Sequence, residues 1–286
     1  MFVKLGENDW TTGRWAWFRR LLGAYCFVHF GMLLPWCIEL FSNAGMMQSA
    51  ASPLLGVLAN PLHYFDHPIL VLGFVLLGCL SGAAMVFNRN PRVAAVLAWY
   101  VGACLLARNP LILNPAMPHV GWTLLWFAAI SSPGKSGSWK LPQPLFAAAW
   151  LLTGLSLTWS AVTKLSAVSW LDGSALHWVW ENPLARDTVL RSWLVDLPPG
   201  LIQTLTYGAL GLELLVLPAA LFPRLRAPIW WGLLCMHLGL LLTVNFADLT
   251  AGMLVVHMSL FQWGYLPRQI RNWRTFKATT TEPACS

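Results

Sequence analysis

The chain has 286 residues, of which 57% are hydrophobic and only 10% are charged, and its formal net charge is +7. Soluble domains carry about 25% charged residues, so this composition excludes an ordinary soluble protein. The basic residues are not gathered into a patch for phosphate, so the positive charge does not indicate nucleic-acid binding. P-loop, GxGxxG, HExxH and GxSxG motifs are absent from the sequence. An integral membrane protein is predicted.

Apolar segments follow one another along the chain with lengths close to the roughly 20 residues that span a bilayer. In chain order they are 21–41, 68–87, 92–108, 118–132, 144–164, 200–222, 227–247 and 249–266. The fourth is the shortest. The sequence therefore predicts an all-α, polytopic bundle of about eight transmembrane helices in a single domain over 21–266.

The two ends of the chain are predicted to be cytoplasmic. Residues 1–20 hold arginines beside tryptophans and form an amphipathic lead-in, and residues 267–286 form a basic tail. The alternative is a cleaved signal peptide, since "SNA" at 42–44 could serve as a cleavage site. The preceding apolar stretch is too long and carries Glu39 near its end, which favours a retained helix.

Lysine and arginine are distributed unequally between the two predicted sides. With the N-terminus inside, fourteen of the 18 basic residues fall in inner segments. The other four are Arg108, Lys164, Arg186 and Arg191. The positive-inside rule supports this orientation.

The long connection at 165–199 lies on the predicted outer side and contains four tryptophans. Tryptophan prefers the membrane–water interface, and the segment has enough apolar residues to lie there as short helices. An interfacial helical segment is therefore predicted between the fifth and sixth spans.

Lys164 ends the fifth span within "AVTKLSAVSWLDGSALHW". One interpretation is a snorkelling lysine whose ammonium reaches the headgroups. The other is a lysine partly buried by the tryptophan-rich segment, where a neutral amine could act as a general base. Snorkelling lysines that orient spans lie inside, whereas this one lies on the predicted outer side.

Other ionisable residues are predicted at membrane depth, where they are costly and suggest function. Glu213 lies mid-span and can pair with His237 or His257 on neighbouring helices, either as a structural contact or in proton transfer. His119 opens the fourth span as a headgroup-level residue, a helix cap or a proton relay for Lys164. His29 in the first span is interpreted as structural. The histidine spacing does not indicate a metal site.

The segment from Lys164 to Gly173 resembles the signature of the horizontally transferred transmembrane (HTTM) family, whose best-known member is the vitamin K-dependent gamma-carboxylase. Lys164, Leu165, Trp170, Asp172 and Gly173 match that signature in order and spacing. Weaker matches are "WFRRLLGAY", "ARNPLILNPAMPHVGW" and "GLELL…MHLGLLLTVNF". The resemblance covers roughly residues 15–265. It does not extend to the carboxylase's large lumenal domain.

The resemblance implies a lysine base that deprotonates a reduced quinone of the vitamin K or menaquinol type. Lys164 would be that base and His119 an auxiliary proton donor or acceptor. Glu213, His237 and Trp170 would line or order the cofactor pocket. The implied activity is carboxylase-like or quinol-oxidising, on the outer face of a membrane.

Two functions from different classes follow. The first is a quinol-dependent membrane enzyme with Lys164 as its base. The second is a non-enzymatic scaffold that binds lipid or peptide, or helps a secreted peptide mature or leave the cell. Both predict membrane lipids as partners, a secreted peptide or protein as a candidate substrate, and a bacterial inner membrane as the location.

Overall fold

Helices form almost all of the regular structure. The computed structural model describes residues 8–46, 59–112, 114–133 and 139–267, and over these ranges the only β pairing is two isolated bridges. The α-helices are α1 (Thr12–Leu33), α2 (Cys37–Phe41), α3 (Pro68–Val86), α4 (Pro91–Arg108), α5 (Ala116–Ala129), α6 (Gln143–Lys164), α7 (Val168–Leu171), α8 (Ala175–Glu181), α9 (Val189–Val195), α10 (Pro199–Leu214), α11 (Val216–Leu221), α12 (Pro223–Thr243) and α13 (Ala247–Leu260). Short 3-10 helices occupy Leu34–Trp36, Pro61–His63, Pro110–Ile112 and Trp263–Tyr265.

Six helical segments of the described residues are long and apolar enough to cross a membrane. They are Thr12–Phe41, Pro68–Val86, Pro91–Arg108, Gln143–Lys164, Pro199–Leu221 and Pro223–Thr243. Each coincides with a predicted span, so the prediction of an all-helical chain with span-length apolar helices is confirmed. The first segment begins at Thr12, inside the predicted lead-in, and the predicted tail lies almost wholly outside the described residues.

The fourth and eighth predicted spans correspond to two shorter helices, α5 and α13. Each has 14 residues, which at 1.5 Å per residue gives about 21 Å against a hydrocarbon thickness of about 30 Å. They pack against each other. The count of eight spans therefore stays a prediction, whereas the helical character of these two segments is confirmed.

The three short helices α7, α8 and α9 occupy the connection between the fifth and sixth predicted spans. Their apolar residues were predicted to form helices there, and this part of the prediction is confirmed.

The long helices pack mostly with their neighbours along the chain. Helix α1 packs on α3, α3 on α4, α4 on α5, and α5 on α13. Helix α13 continues the series to α12, and α11 joins α12 to α6. Helix α6 also contacts α10, α5 and α13, so it lies among several helices. Its contact with α10 brings Lys164, at the end of α6, close to Glu213 from a distant part of the sequence.

Helices α1 and α3 approach closely through two glycines. A Cβ atom added to Gly82 would lie 2.5 Å from the backbone nitrogen of Phe27 and 2.8 Å from the carbonyl oxygen of Gly23. A Cβ atom on Gly23 would meet the carbonyl oxygen of Gly82 at 2.8 Å. Small residues at such contacts allow the backbones of membrane helices to pack against each other.

We expect Gly82→Val to destabilise the protein by about 1–3 kcal/mol, the range for overpacking a tight core. The cost arises because α1 must move to admit the side chain. The measurement is thermal unfolding in detergent. Gly73→Val is the matched control on the same helix, since nothing lies within 4 Å of a Cβ atom there. Equal midpoints for the two variants would contradict the close approach.

Arginine side chains cap the carboxyl ends of several helices. The last four carbonyls of a helix lack partners within it, and cations are favoured there. On the predicted inner side the acceptors are Phe261 O for Arg14, Met85 O and Val86 O for Arg19, Ala128 O for Arg92, and Ala219 O and Ala220 O for Arg226. On the predicted outer side they are Phe41 O for Arg108, Val244 O for Arg186, and Trp180 O for Arg191.

Arginines thus cap helix ends on both predicted sides of the membrane. Basic residues on the predicted inner side therefore have a structural use. The orientation of the termini rests on the charge count alone and stays a prediction.

Candidate functional site

Lys164 and Glu213 form an ion pair inside the bundle. The Nζ atom lies 2.5 Å from one carboxylate oxygen of Glu213 and 2.6 Å from the other. The side chains are 27% and 7% exposed. The sequence leaves Glu213 open to a histidine partner, but its carboxylate bonds Lys164 instead. A carboxylate this buried needs such a partner, because an unpaired buried charge is costly.

The direction of the two helices explains how the pair forms. Side chains on a helix lean toward its N-terminus, and Lys164 is the last residue of α6, so its ammonium is carried back into the bundle. The contacts of Thr158 with Glu213 and of Gly154 with Leu217 show that α6 and α10–α11 run antiparallel. Glu213 therefore leans toward Lys164. A snorkelling lysine would extend away from the bundle, so that interpretation does not match the geometry.

Glu213 lies beside a break in its helix. Helix α10 ends at Leu214, and α11 begins at Val216. Pro218 cannot donate a hydrogen bond to the carbonyl of Leu214, four residues earlier, and its ring disfavours a regular helix there. The carbonyl of Glu213 accepts a hydrogen bond from the Thr158 hydroxyl at 3.2 Å. The proline and this bond fix the position from which the carboxylate reaches Lys164.

Trp170 covers the ammonium from the segment that follows α6. The Nζ atom of Lys164 lies 4.9 Å from the centroid of the Trp170 ring, within the range of a cation–π interaction. The predicted burial of Lys164 by the tryptophan-rich segment is therefore partly realised, since the lysine remains 27% exposed.

The Trp-Leu-Asp-Gly segment after Lys164 forms a turn that is anchored to α10. Gly173 has φ +80°, a left-handed conformation that favours glycine. The Asp172 carboxylate accepts the backbone N–H of Ser174 at 2.8 Å, and hydrogen bonds from Ser174 hold the pKa of Asp172 below its usual range. The Tyr207 hydroxyl donates to the carbonyl of Leu171 at 2.9 Å, which fixes the turn that carries Trp170.

His237 and His257 pair with each other in the core. The Nδ1 atom of His237 lies 2.8 Å from the carbonyl oxygen of Leu233 and 3.1 Å from Nε2 of His257. A proton on Nδ1 of His237 serves both contacts. The Nδ1 atom of His257 is buried and has no hydrogen-bond partner among the described residues. Lys164 and His119 are close enough for their charges to act on His237.

His119 lies on α5 and faces the same region. Its Nδ1 atom lies 3.0 Å from the carbonyl oxygen of Pro115, while Nε2 is buried without a partner among the described residues. His119 lines a cavity of about 10 Å³ together with Thr153 and Ser259, roughly the volume that one water molecule requires. The charge of Lys164 acts on His119 as well.

The predicted site residues thus lie in one region of the bundle, where they form two groups. Lys164, Glu213 and Trp170 are in direct contact. His119 and His237 lie within electrostatic range of Lys164, without a hydrogen bond to it.

A second polar cluster, which the sequence interpretation missed, surrounds Asp248. Its carboxylate lies 3.0 and 3.1 Å from Nδ1 of His29 and 2.5 Å from the amide nitrogen of Asn114. The Tyr25 hydroxyl is beside the same carboxylate. Asp248 falls between two predicted spans, so the sequence does not indicate that it lies inside the bundle. His29 in the middle of a span indicates a polar contact in the bundle, but nothing in the sequence identifies its partner.

No protein-family model matches the chain, and no curated protein and no solved structure shows significant similarity to it. The resemblance to the HTTM family therefore rests on the residues from Lys164 to Gly173 and stays a prediction.

Proposed function

We propose that the chain is a membrane-embedded enzyme that removes a proton from a lipid-soluble hydroxyl substrate at Lys164 and Glu213. The observation that carries the proposal is the ion pair itself, with Glu213 only 7% exposed and with His119 and His237 within electrostatic range of Lys164. Ionisable residues concentrated at membrane depth are expensive to maintain and mark functional sites. The proposal includes a topology of eight transmembrane spans with both termini in the cytoplasm. It places the protein in a bacterial inner membrane.

The pair can supply a base only if the proton on Lys164 moves first. At 2.5 and 2.6 Å, Coulomb attraction holds the ammonium and carboxylate together as charged partners. Transfer of one proton from Nζ to the carboxylate leaves a neutral amine and a carboxylic acid with the same net charge. The amine then accepts the substrate's hydroxyl proton, and the pair as a whole gains one positive charge.

The histidines are suited to carry that proton away. His119 has a buried Nε2 atom without a described partner and a cavity for about one water. The His237–His257 contact at 3.1 Å forms a second acceptor pair. We assign His119 to proton relay and His237 to ordering the charge around Lys164.

A reduced quinone is the substrate proposed for this site. Trp170 presents an aromatic face, while Lys164 and Glu213 present polar atoms to a hydroxyl group. When bound, a quinol would supply an acidic hydroxyl and reducing electrons. The apolar cavity of about 440 Å³ between α1, α4 and α5 is lined by His29, so a ring held there would meet His29 rather than Lys164.

The activity test uses purified protein in lipid nanodiscs with a reduced, prenylated naphthoquinone under air. Quinol loss in excess of that with empty nanodiscs is followed by liquid chromatography. We expect at least about a 100-fold lower rate in the double variant Lys164→Met/Glu213→Leu, the lower range for loss of a general base. The double variant avoids leaving either charge buried alone.

Lys140→Met is the matched control, since Lys140 is exposed on another part of the chain. It should retain the wild-type rate. An unchanged rate in the double variant, or a wild-type rate no higher than that of empty nanodiscs, contradicts the enzymatic proposal.

The alternative is a scaffold that binds lipid or a secreted peptide. The observation that favours it is the closeness of the Lys164–Glu213 contact, because a satisfied ion pair can serve structure alone. The alternative predicts that the double variant supports wild-type function, and that a lipid or peptide co-purifies with the protein and is detected by native mass spectrometry.

A further inference from the structure

A large apolar cavity lies away from the Lys164 pair, between α1, α4 and α5. Its volume is about 440 Å³, within the range of small-molecule pockets. Aromatic residues line much of it, among them Phe30, Trp99 and Trp122. A second cavity of about 320 Å³ shares His29 and Gly102 with it, so the two adjoin at these residues.

The polar end of this space is formed by the cluster around Asp248. His29 lines both cavities, and Asn114 and Asp248 line the second. The His29 ring is held between neighbours, with the Tyr25 ring stacked 5.8 Å away and the Phe30 ring edge-on at 5.3 Å. The imidazole therefore has a fixed orientation at the point where the two cavities meet.

The hydrogen bonds of His29 define what it can accept. Its Nδ1 atom faces the Asp248 carboxylate at 3.0 and 3.1 Å, which assigns the proton to Nδ1. In that tautomer Nε2 is an acceptor, and it makes no hydrogen bond with the described residues. The matching ligand group is a donor, and a hydroxyl is the simplest one that membrane-soluble molecules carry.

Charge narrows the ligand class further. Asp248 places a negative charge behind the imidazole, which disfavours a carboxylate or phosphate ligand. A cationic ligand would need the carboxylate itself, whose oxygens already accept from His29 and Asn114. An uncharged hydroxyl compound meets neither obstacle. The aromatic lining favours a flat ring as its apolar body.

The cavity also reaches the outer surface of the bundle. Trp122 lines it and is 47% exposed, and its helix α5 packs against the span-length helices α4 and α6. A molecule dissolved in the lipid could therefore enter without crossing the polar ends of the helices.

We propose that this cavity binds an uncharged, ring-bearing alcohol or phenol from the lipid phase, with its hydroxyl donating to Nε2 of His29. The site is separate from Lys164, and the proposal does not depend on the function proposed for that pair. Asp248 acts here as a positioning residue, since it orients the imidazole without contacting the ligand.

The test compares two probes that share the naphthalene ring, 2-naphthol, which carries a hydroxyl donor, and its methyl ether 2-methoxynaphthalene, which does not. Equilibrium dialysis against protein in nanodiscs, corrected for partition into empty nanodiscs, measures binding of each. We expect saturable binding of one 2-naphthol per protein and at least tenfold weaker binding of the ether. Equal affinity for the two probes, or binding that does not saturate, would overturn the proposal.

Two variants test the residues. His29→Phe keeps a planar ring between Tyr25 and Phe30 but has no acceptor, so 2-naphthol should bind no better than the ether. Gly102→Leu grows a side chain into the space, because a Cβ atom there meets only Met117 Cε at 3.5 Å and Phe30 Cζ at 3.9 Å. Binding of both probes should be lost in this variant.

The Gly102 variant leaves His29, Asp248 and Asn114 in place, so it decides the question even if His29→Phe fails to fold. Wild-type binding by a folded Gly102→Leu protein would overturn the site. The double variant Lys164→Met/Glu213→Leu should bind 2-naphthol like the wild type, which separates this site from the proposed proton-transfer site. Loss of binding in that variant would contradict the independence of the two sites.

Discussion

Lys164→Met is expected to lower the free energy of unfolding by about 3–5 kcal/mol, the range for breaking a buried ion pair from one side. The change leaves the Glu213 carboxylate, which is 7% exposed, without its partner. Glu213→Leu should cost less, because the stranded Lys164 is 27% exposed and its long side chain can turn toward the surface. The larger loss of stability is thus expected when the more buried residue, Glu213, is the one left without its partner.

Removing both charges should restore much of the lost stability. Replacing a buried ion pair by apolar residues of similar volume is often neutral or stabilising, so Lys164→Met/Glu213→Leu should lie within about 1–2 kcal/mol of the wild type. The four proteins form a double-mutant cycle, read by unfolding in mixed micelles followed by tryptophan fluorescence. Lys140→Met controls for loss of an exposed lysine. Additive effects of the two single changes would show that the side chains do not interact.

The sequence predicts the helices of this protein well because hydrophobicity and length decide them. Each of the six span-length segments coincides with an apolar run that ends at polar or turn-forming residues. The turn at Asp172 and Gly173 is also local, since an Asx turn followed by a glycine with φ +80° depends on adjacent residues. Such features need no knowledge of which helices become neighbours.

The site could be predicted only in part, because its contacts join distant residues. Lys164 and Glu213 stand out individually as ionisable groups in apolar runs, but 49 positions separate them, and no periodicity indicates that α6 and α10 pack together. The pairing of His29 with Asp248 spans 219 positions. Asp248 also falls between two predicted spans, so it drew no attention as a membrane residue. Helix packing, rather than local sequence, determines both clusters.

Arg108 shows a different limit of sequence interpretation. As one of four basic residues on the predicted outer side, it counts only as an exception to the positive-inside pattern. The structure buries it completely. Its Nε atom donates to the carbonyl of Phe41 at 3.0 Å, and Nη2 lies 3.0 Å from the Asp66 carboxylate. The side chain therefore joins the end of α4 to the end of α2 and to the segment before α3.

Arg108→Met is expected to destabilise the protein by about 3 kcal/mol, because the buried carbonyl of Phe41 loses a donor and Asp66 loses its cation. Asp66 is 23% exposed, so water reduces part of that cost. Arg92→Met is the matched control, since its Nε atom caps Ala128 at an exposed position; there the change should stay within about 0.5 kcal/mol. The measurement is again unfolding in mixed micelles.

The same pair of variants separates a topological role from a structural one. If Arg108 acted only through its charge, removing a basic residue from the outer side would strengthen the predicted orientation and leave the folded protein's stability unchanged. If it acts as the structure indicates, insertion measured by cysteine accessibility stays the same while stability falls. Asp66→Asn should then lose less stability than Arg108→Met, since the arginine keeps its bond to Phe41. If the Arg108→Met protein is as stable as the wild type, the structural role is contradicted and only a role in membrane orientation remains for Arg108.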